Sequence, residues 1–411
     1  MLRFLTAGES HGQGLIAVLE GMPAGLALDL DAITIQLRRR QGGYGRGRRM
    51  AIESDRAEVL SGVRRSKTTG GPIALLIPNK DWQNWQKTMH VEAEMPEAAT
   101  GANRAPVTRP RPGHADLAGA LKYGHEDIRD VLERASARET AARVALGALA
   151  RQLLGRFGIE VMSHVTRIGA VGIDESLSIG VDRIRAIPDD SPLHCADTAV
   201  EQQMIAAIDA AKEAGDTLGG SFEVVVTGLP VGLGSYVQWD RKLDGRLAQA
   251  IMSIPAIKAV GIGKGPEVAR LPGSRIHDEI VPAGDRPSGH PAVGLSRLTN
   301  NAGGLEGGVT NGEQLRVTGY MKPIATLMQP LRSVDLATMT ESPAAIERSD
   351  VCAVTAAAVV GEAMVALTVA DAFLEKFGND NIADIAKVVE AAVDSVRTRF
   401  AARPAPAPAR S

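Results

Sequence analysis

Glycine occupies 44 of the 411 positions, well above the roughly 7% of an average protein. A residue without a Cβ suits tight turns and close backbone approaches, so the chain reads as a compact fold threaded through many glycine turns. Its length allows two or three domains or one large α/β domain, and core size is not limiting. Apolar residues make up 44%, near the globular average, while aromatics reach only 3%. Lys and Arg total 46 against 48 Asp and Glu, a formal net charge of −2. That balance argues against a chain whose main task is to coat nucleic acid or an acidic membrane, so any basic site is local.

Cys195 and Cys352 lie far apart and form no C-x-x-C or Cys/His cluster, so neither a disulfide framework nor a zinc site is indicated. The first ten residues lack the apolar stretch of a signal peptide, and the most apolar later run, residues 351–373, is interrupted by Glu362 and Asp371. A soluble, cytoplasmic chain in a reducing compartment is expected, with no membrane partner.

Up to about residue 130 the chain is rich in glycine, proline and arginine, and the apolar runs 15–19 and 73–77 read as strands between turns. Leu146, Leu149, Leu153 and Phe157 predict a helix over 133–157, closed by Gly158. A second helix is predicted over 199–214, followed by a strand at 221–227. Leu243, Leu247 and Ile251 mark a helix that stops by Pro255, and 256–262 and 315–321 read as strands with a polar loop, 278–298, between them. Residues 344–377 form an alanine-rich helical region expected to break near Gly361, and 382–400 a last helix. The Pro/Ala-rich tail, 401–411, reads as disordered or polyproline-like.

Three arginine blocks stand out. Residues 38–49 hold Arg38, Arg39, Arg40, Arg46, Arg48 and Arg49 with four glycines and no acid, a composition suited to close approach to phosphate or to a solvated basic loop. Arg109-Pro-Arg-Pro-Gly-His-Ala-Asp116 sets two arginines and His114 on a proline-stiffened segment. Glu133-Arg-Ala-Ser-Ala-Arg-Glu-Thr140 opens the predicted helix, so Arg134 and Arg138 would share one face near an anion-favouring N-terminus. His11 sits between glycines in Gly8-Glu-Ser-His-Gly-Gln-Gly14. Neither a Rossmann nor a Walker pattern is present, nor a zincin or hydrolase motif. These residues point to an enzyme acting on phosphorylated or polycarboxylate ligands, with histidine moving protons near neutral pH.

Gly8-Glu-Ser-His-Gly12, Arg109-Pro-Arg-Pro-Gly-His-Ala-Asp116, Glu133-Arg-Ala-Ser-Ala-Arg-Glu-Thr140, Gly303-Gly-Leu-Glu-Gly-Gly308 and Arg348-Ser-Asp-Val-Cys352 stand in one order and spacing. In this the chain resembles chorismate synthase, over about residues 1 to 378. The resemblance implies a lyase of the shikimate pathway, leading to aromatic amino acids. It would convert 5-enolpyruvylshikimate 3-phosphate to chorismate and phosphate by a 1,4-anti elimination that needs reduced FMN without net redox change. It also implies roles. His11 would act as an acid near the leaving phosphate, His114 would protonate or hydrogen-bond the flavin, and Asp350 would assist the flavin N5 side in removing the ring proton. Arg40 and Arg46 match positions that bind the anionic substrate or NADP. Arg134, Ala135, Ser136, Pro255, Ala256, Gly307, Lys322, Pro323, Ile324, Ala325, Thr326 and Arg348 match flavin-contacting positions.

The implied fold is of the α/β (α+β) class, a β-α-β sandwich in one large domain over residues 1–400, its two sheets having helices outside, assembled as a homotetramer. No length remains for a built-in flavin reductase, so reduced FMN would come from an external one, with NADPH as a source of reductant. Asn301 replaces an arginine usual in the family, with Arg297 as a candidate substitute, and the loop 282–295 is longer than usual. Two rivals stand beside this reading, a polyanion- or RNA-binding protein and a flavin-independent phosphosugar lyase. Thirteen aromatics and a net charge of −2 argue against the first.

Overall fold

The computed structural model describes residues 2–46, 55–174, 178–282, 295–347 and 350–400. In the Gly14–Glu20 strand Leu15, Ala17 and Leu19 are buried while Ile16 and Glu20 face outward, and Ile73, Leu75 and Ile77 repeat the pattern in the Ile73–Pro78 strand. A period of two gives each strand one apolar face. With Arg3–Ala7 and Glu58–Val59 these strands make a four-stranded antiparallel sheet. A second, five-stranded antiparallel sheet is ordered Ile257–Ile262, Leu315–Met321, Gly220–Thr227, Glu160–Ile168 and Val171–Gly172.

Two helices fill the space between the sheets. Thr140–Gly155 packs on the first sheet, Val354–Phe377 on the second, and the two pack on each other. Twenty of the 24 residues of Val354–Phe377 are buried, which is the signature of a helix apolar on every side and enclosed on every side. Although it is long and apolar enough to cross a membrane, 89% of its most apolar window is buried inside the protein. The layers therefore run sheet, helices, sheet. This is the expected β-α-β sandwich in the mixed α/β class, with one correction: the main helices lie inside rather than outside. Two sheets with one apolar face each supply the cover that a mostly apolar helix needs, and its one fully buried charge, Glu362, is paired with Arg39 and Arg151. The far face of the second sheet carries His164, Glu223 and Arg316, and Arg316 Nη2 donates to the Ile179 carbonyl at 2.7 Å, so the segment entering the Val181–Arg185 helix covers it.

The glycines at the helix crossing explain a second correction. No break occurs at Gly361, because its missing Cβ leaves room for the Phe222 ring, and Gly147 is likewise opposite Ala363. The helix begins at Val354 instead of 344, since the amides of Ala344 and Ala345 bond the carbonyls of Leu331 and Arg109. The predicted 133–157 helix is interrupted: Arg129–Leu132 and Thr140–Gly155 are separate helices, and between them Ser136 is extended, its side chain accepting from the Arg138 amide. Gly158 ends the second with φ of +73°, as expected of a left-handed cap. The 199–214 and 382–400 helices appear as Thr198–Glu213 and Ile382–Phe400. Part of the expected 278–298 loop is paired, Ile280–Pro282 against Leu295–Arg297, while residues 283–294 and the tail 401–411 lie outside the described residues.

Candidate active site

His11 is built into a buried corner. Its backbone amide donates to Glu133 Oε2 at 2.8 Å, and its Nδ1 lies 2.8 Å from Glu133 Oε1. A carboxylate only accepts, so Nδ1 carries the hydrogen and proton exchange with a ligand falls to Nε2. The imidazole is stacked on the Trp85 ring, centroids 3.7 Å apart and planes 20° from parallel. Ser10 adds a bond from its amide to the Glu133 carbonyl, and Ser136 Oγ donates to Ser10 Oγ.

His114 repeats the pattern with a different partner. Its Nδ1 lies 2.5 Å from Asp116 Oδ1, and Arg111 grips the same carboxylate through Nε at 2.8 Å and Nη2 at 3.0 Å. Burial disfavours the Asp116 charge, but the hydrogen bonds from His114 and Arg111 outweigh it and hold the carboxyl well below the usual range. The carboxylate partners of both histidines sit on one helical unit. Glu133 closes the Arg129–Leu132 helix, Asp116 opens Asp116–Tyr123, and the two helices share a small core of Ala120, Ile128, Val131 and Leu132.

Arg111 also donates to Thr326 Oγ1 at 3.2 Å, which ties the histidine segment to the run Lys322, Pro323, Ile324, Ala325, Thr326. Pro255 and Ala256 join the same place: the Lys322 amide bonds the Ala256 carbonyl, and Ala256 holds a φ of +68° that a non-glycine residue rarely adopts. The Lys322 ammonium is half-buried, and burial followed by the charge of Lys258 lowers its pKa. Among the described residues neither lysine has an acidic partner, a cationic pair without a counter-ion. Thr217 Oγ1 bonds the Ile324 carbonyl, and its neighbour Leu218 bridges Cys352, which brings Asp350 to this side.

Asp350 accepts from Arg46 at 2.8 Å. The Arg40 guanidinium is buried and engaged by Thr140 Oγ1 and the Ala137 carbonyl, at the start of the Thr140–Gly155 helix. Arg134 and Arg138 do not share a helix face. The extended Ser136 between them turns Arg134 toward Thr6 and Arg138 into a buried pair with Asp55, leaving Ser136 beside Ser10, while the Ala135 amide bonds the Val131 carbonyl. Arg348, Arg48 and Arg49 lie outside the described residues.

Gly307 stands apart from the rest. It belongs to a turn between Leu305–Glu306 and Val309–Thr310, whose Gly308 carbonyl accepts from the Leu243 amide, at the Leu315 end of the Leu315–Met321 strand. Lys322 follows the other end of that strand, about 20 Å away at the usual strand rise. Asn301 is at the Gly307 end, its side chain near the Arg275 carbonyl and Thr299. Arg297, the candidate substitute for the missing arginine, holds Glu306 through Nε and Nη2 at 2.6–2.7 Å.

Sequence reasoning overlooked Glu133 as the partner of His11, placing it only at the opening of a predicted helix. It also overlooked Trp85, for which local sequence carries no signal. Among the described residues two histidines are backed by buried carboxylates, and the His114 segment adjoins Lys322, which has no acidic partner, an arrangement that suits proton transfer beside a bound polyanion.

Comparison with known proteins agrees with that chemistry. The chorismate synthase family model matches residues 2–374. A chorismate synthase of Geobacter metallireducens is 53% identical over 97% of this chain and all of its own length. One from Moorella thermoacetica is 58% identical over 92% of this chain and 95% of its own. A crystal structure of chorismate synthase superposes with a TM-score of 0.76 at 42% identity, covering 97% of this chain and 98% of the other. With sequence, fold and full-length coverage in agreement, the chain belongs to the chorismate synthase family of lyases.

Proposed function

We propose that this chain carries out the 1,4-anti elimination of phosphate from 5-enolpyruvylshikimate 3-phosphate, giving chorismate, with reduced FMN bound beside the substrate. The observation that carries this is that His11 and His114 each set Nδ1 on a buried carboxylate, on helices that share a small core, with Lys322, which has no acidic partner, beside the His114 segment. The substrate brings two carboxylates and a phosphate, and FMN a further phosphate, so a desolvated site needs cations not already neutralised by the protein. Lys322, half-buried without an acid, is such a cation and supports a flavin site over Pro255, Ala256 and 322–326.

When bound, reduced FMN supplies transient electron density that helps phosphate leave. The chain's own residues do the rest. His11 in its doubly protonated form gives the Nε2 proton toward the departing phosphate and keeps the Nδ1 hydrogen on Glu133, His114 hydrogen-bonds the flavin, and Asp350, beside Arg46, assists in taking the ring proton. Arg40 and Arg46 orient the anionic substrate. The distance of Gly307 from Lys322 supports a homotetramer in which a neighbouring chain brings its Gly307 to the flavin. The enzyme works in the cytoplasm on reduced FMN from an external reductase, NADPH being the source of reductant.

An anaerobic assay tests the reading, following chorismate and phosphate together with and without chemically reduced FMN. Turnover only with reduced FMN supports it. Turnover without flavin favours the phosphosugar-lyase alternative, and salt-steep nucleic-acid binding without turnover favours the RNA-binding one.

A further inference from the structure

We propose that Glu133 and Trp85 are positioning residues which together fix the tautomer and the direction of the His11 ring, and that Arg129 steadies Glu133 from behind. The proposal rests on the reading of His11 as the acid. An imidazole side chain has two free torsions. A hydrogen bond at Nδ1 restrains rotation within the ring plane, and a stacked ring restrains the plane itself. His11 has both restraints, from Glu133 at 2.8 Å and from Trp85 at a centroid distance of 3.7 Å. What remains is one direction for Nε2.

Each restraint is itself anchored. The Glu133 side chain is 1% exposed and also accepts from the His11 amide, so backbone and ring are clamped by one carboxylate. Arg129 Nη1 lies 3.7 Å from Glu133 Oε1 and its guanidinium 5.7 Å from the Trp85 ring centroid, so one cation flanks both restraints. The Trp85 indole donates to Asp81 Oδ2 at 2.9 Å, and the Arg104 guanidinium lies 4.1 Å from the ring centroid. Removing the carboxylate behind a metal-ligating imidazole typically costs about 10- to 100-fold in affinity or activity, and an effect of the same scale is expected here.

The test uses the full chain with reduced FMN and substrate. It compares kcat and KM for His11→Ala, Glu133→Gln, Glu133→Ala, Trp85→Phe and Trp85→Leu, and reads the His11 tautomer by ¹⁵N NMR. Glu133→Gln keeps an acceptor without the charge and should lower kcat roughly 10-fold, and Glu133→Ala roughly 100-fold, both with KM within about 2-fold. Trp85→Phe keeps a stacked ring and should stay within about 3-fold, whereas Trp85→Leu should lose roughly 10-fold. The Nδ1–H signature should persist in Glu133→Gln and give way to mixed tautomers in Glu133→Ala.

Wild-type kcat in Glu133→Ala, or an unchanged tautomer there, overturns the proposal. So does a loss confined to KM. Should Glu133→Ala not fold, Glu133→Gln and the two Trp85 variants decide the matter on the same readouts. If His11→Ala itself turns over normally, the role given to His11 falls, while the NMR result still judges the positioning on its own.

Discussion

His11 and His114 each present Nδ1 to a buried carboxylate, at 2.8 and 2.5 Å, yet the two carboxylates are held in different ways. Asp116 takes two guanidinium bonds and the backbone amide of Arg111, and Arg111 goes on to Thr326, 215 residues away. Glu133 has an arginine only at 3.7 Å, and its histidine is steadied by an aromatic ring. The first station is a cross-link of the fold as well as a proposed proton site. The second is a jig whose parts can be taken away one at a time.

Asp116→Ala should sharpen that contrast most. It leaves Arg111 buried beside nothing that balances it, a change that costs about 3–5 kcal/mol, and thermal unfolding should register a larger loss than for Glu133→Ala. Equal losses would break the distinction. The acid limb carries the same information. The folded Asp116 carboxyl is depressed below its unfolded range, so its stabilising contribution is complete above the ordinary carboxylate range and drains away as pH falls through the depressed value. Asp116→Asn should therefore be less stable at neutral pH but lose less on acidification, read as unfolding midpoints across the acid range.

His11→Ala and His114→Ala come next, each expected to lose at least about 10²-fold in turnover while FMN and substrate still bind, the scale of general acid–base effects. Unchanged turnover in either would remove that histidine from the chemistry and leave its carboxylate with a purely structural part. Gly361→Ala probes the scaffold common to both stations. A Cβ there meets the Phe222 ring, and overpacking should cost roughly 1–3 kcal/mol with little change in KM. A neutral effect would show that the sheet can draw back from the central helix.

Much of this was legible locally. Helical spacing found the Thr198–Glu213 and Leu243–Met252 helices nearly to the residue, and the glycine-flanked motifs brought out both histidines. What local pattern could not carry was anything decided at long range. Glu133 is 122 residues from His11, so its role is invisible until the chain folds. The break at Ser136 depends on a single extended residue that caps the next turn, against a helical pattern that runs smoothly through it. Gly361 signalled a break because an isolated helix is weakened by glycine, yet in the packed molecule the same absence of Cβ is what lets Phe222 close against the helix. The order of layers was open for a similar reason, since periodicity says that a helix has apolar faces and not what covers them.

The smallest effect separates the histidine stations from the flavin side. Lys322 has no acid partner and its charge is disfavoured by burial and by Lys258, so a bound anion should relieve a cost that the empty protein bears. Arg134 is exposed and bonded to Thr6 only through uncharged oxygens, so it has no such cost to recover. Lys322→Met should therefore weaken oxidised FMN binding in the presence of substrate by about 10-fold, near 1.4 kcal/mol, and Arg134→Ala by less, because an exposed charge is screened. Titration at two salt concentrations checks this. The Arg134 effect should shrink as salt rises while the Lys322 effect holds, and the reverse order would place the flavin phosphate beside Arg134 instead.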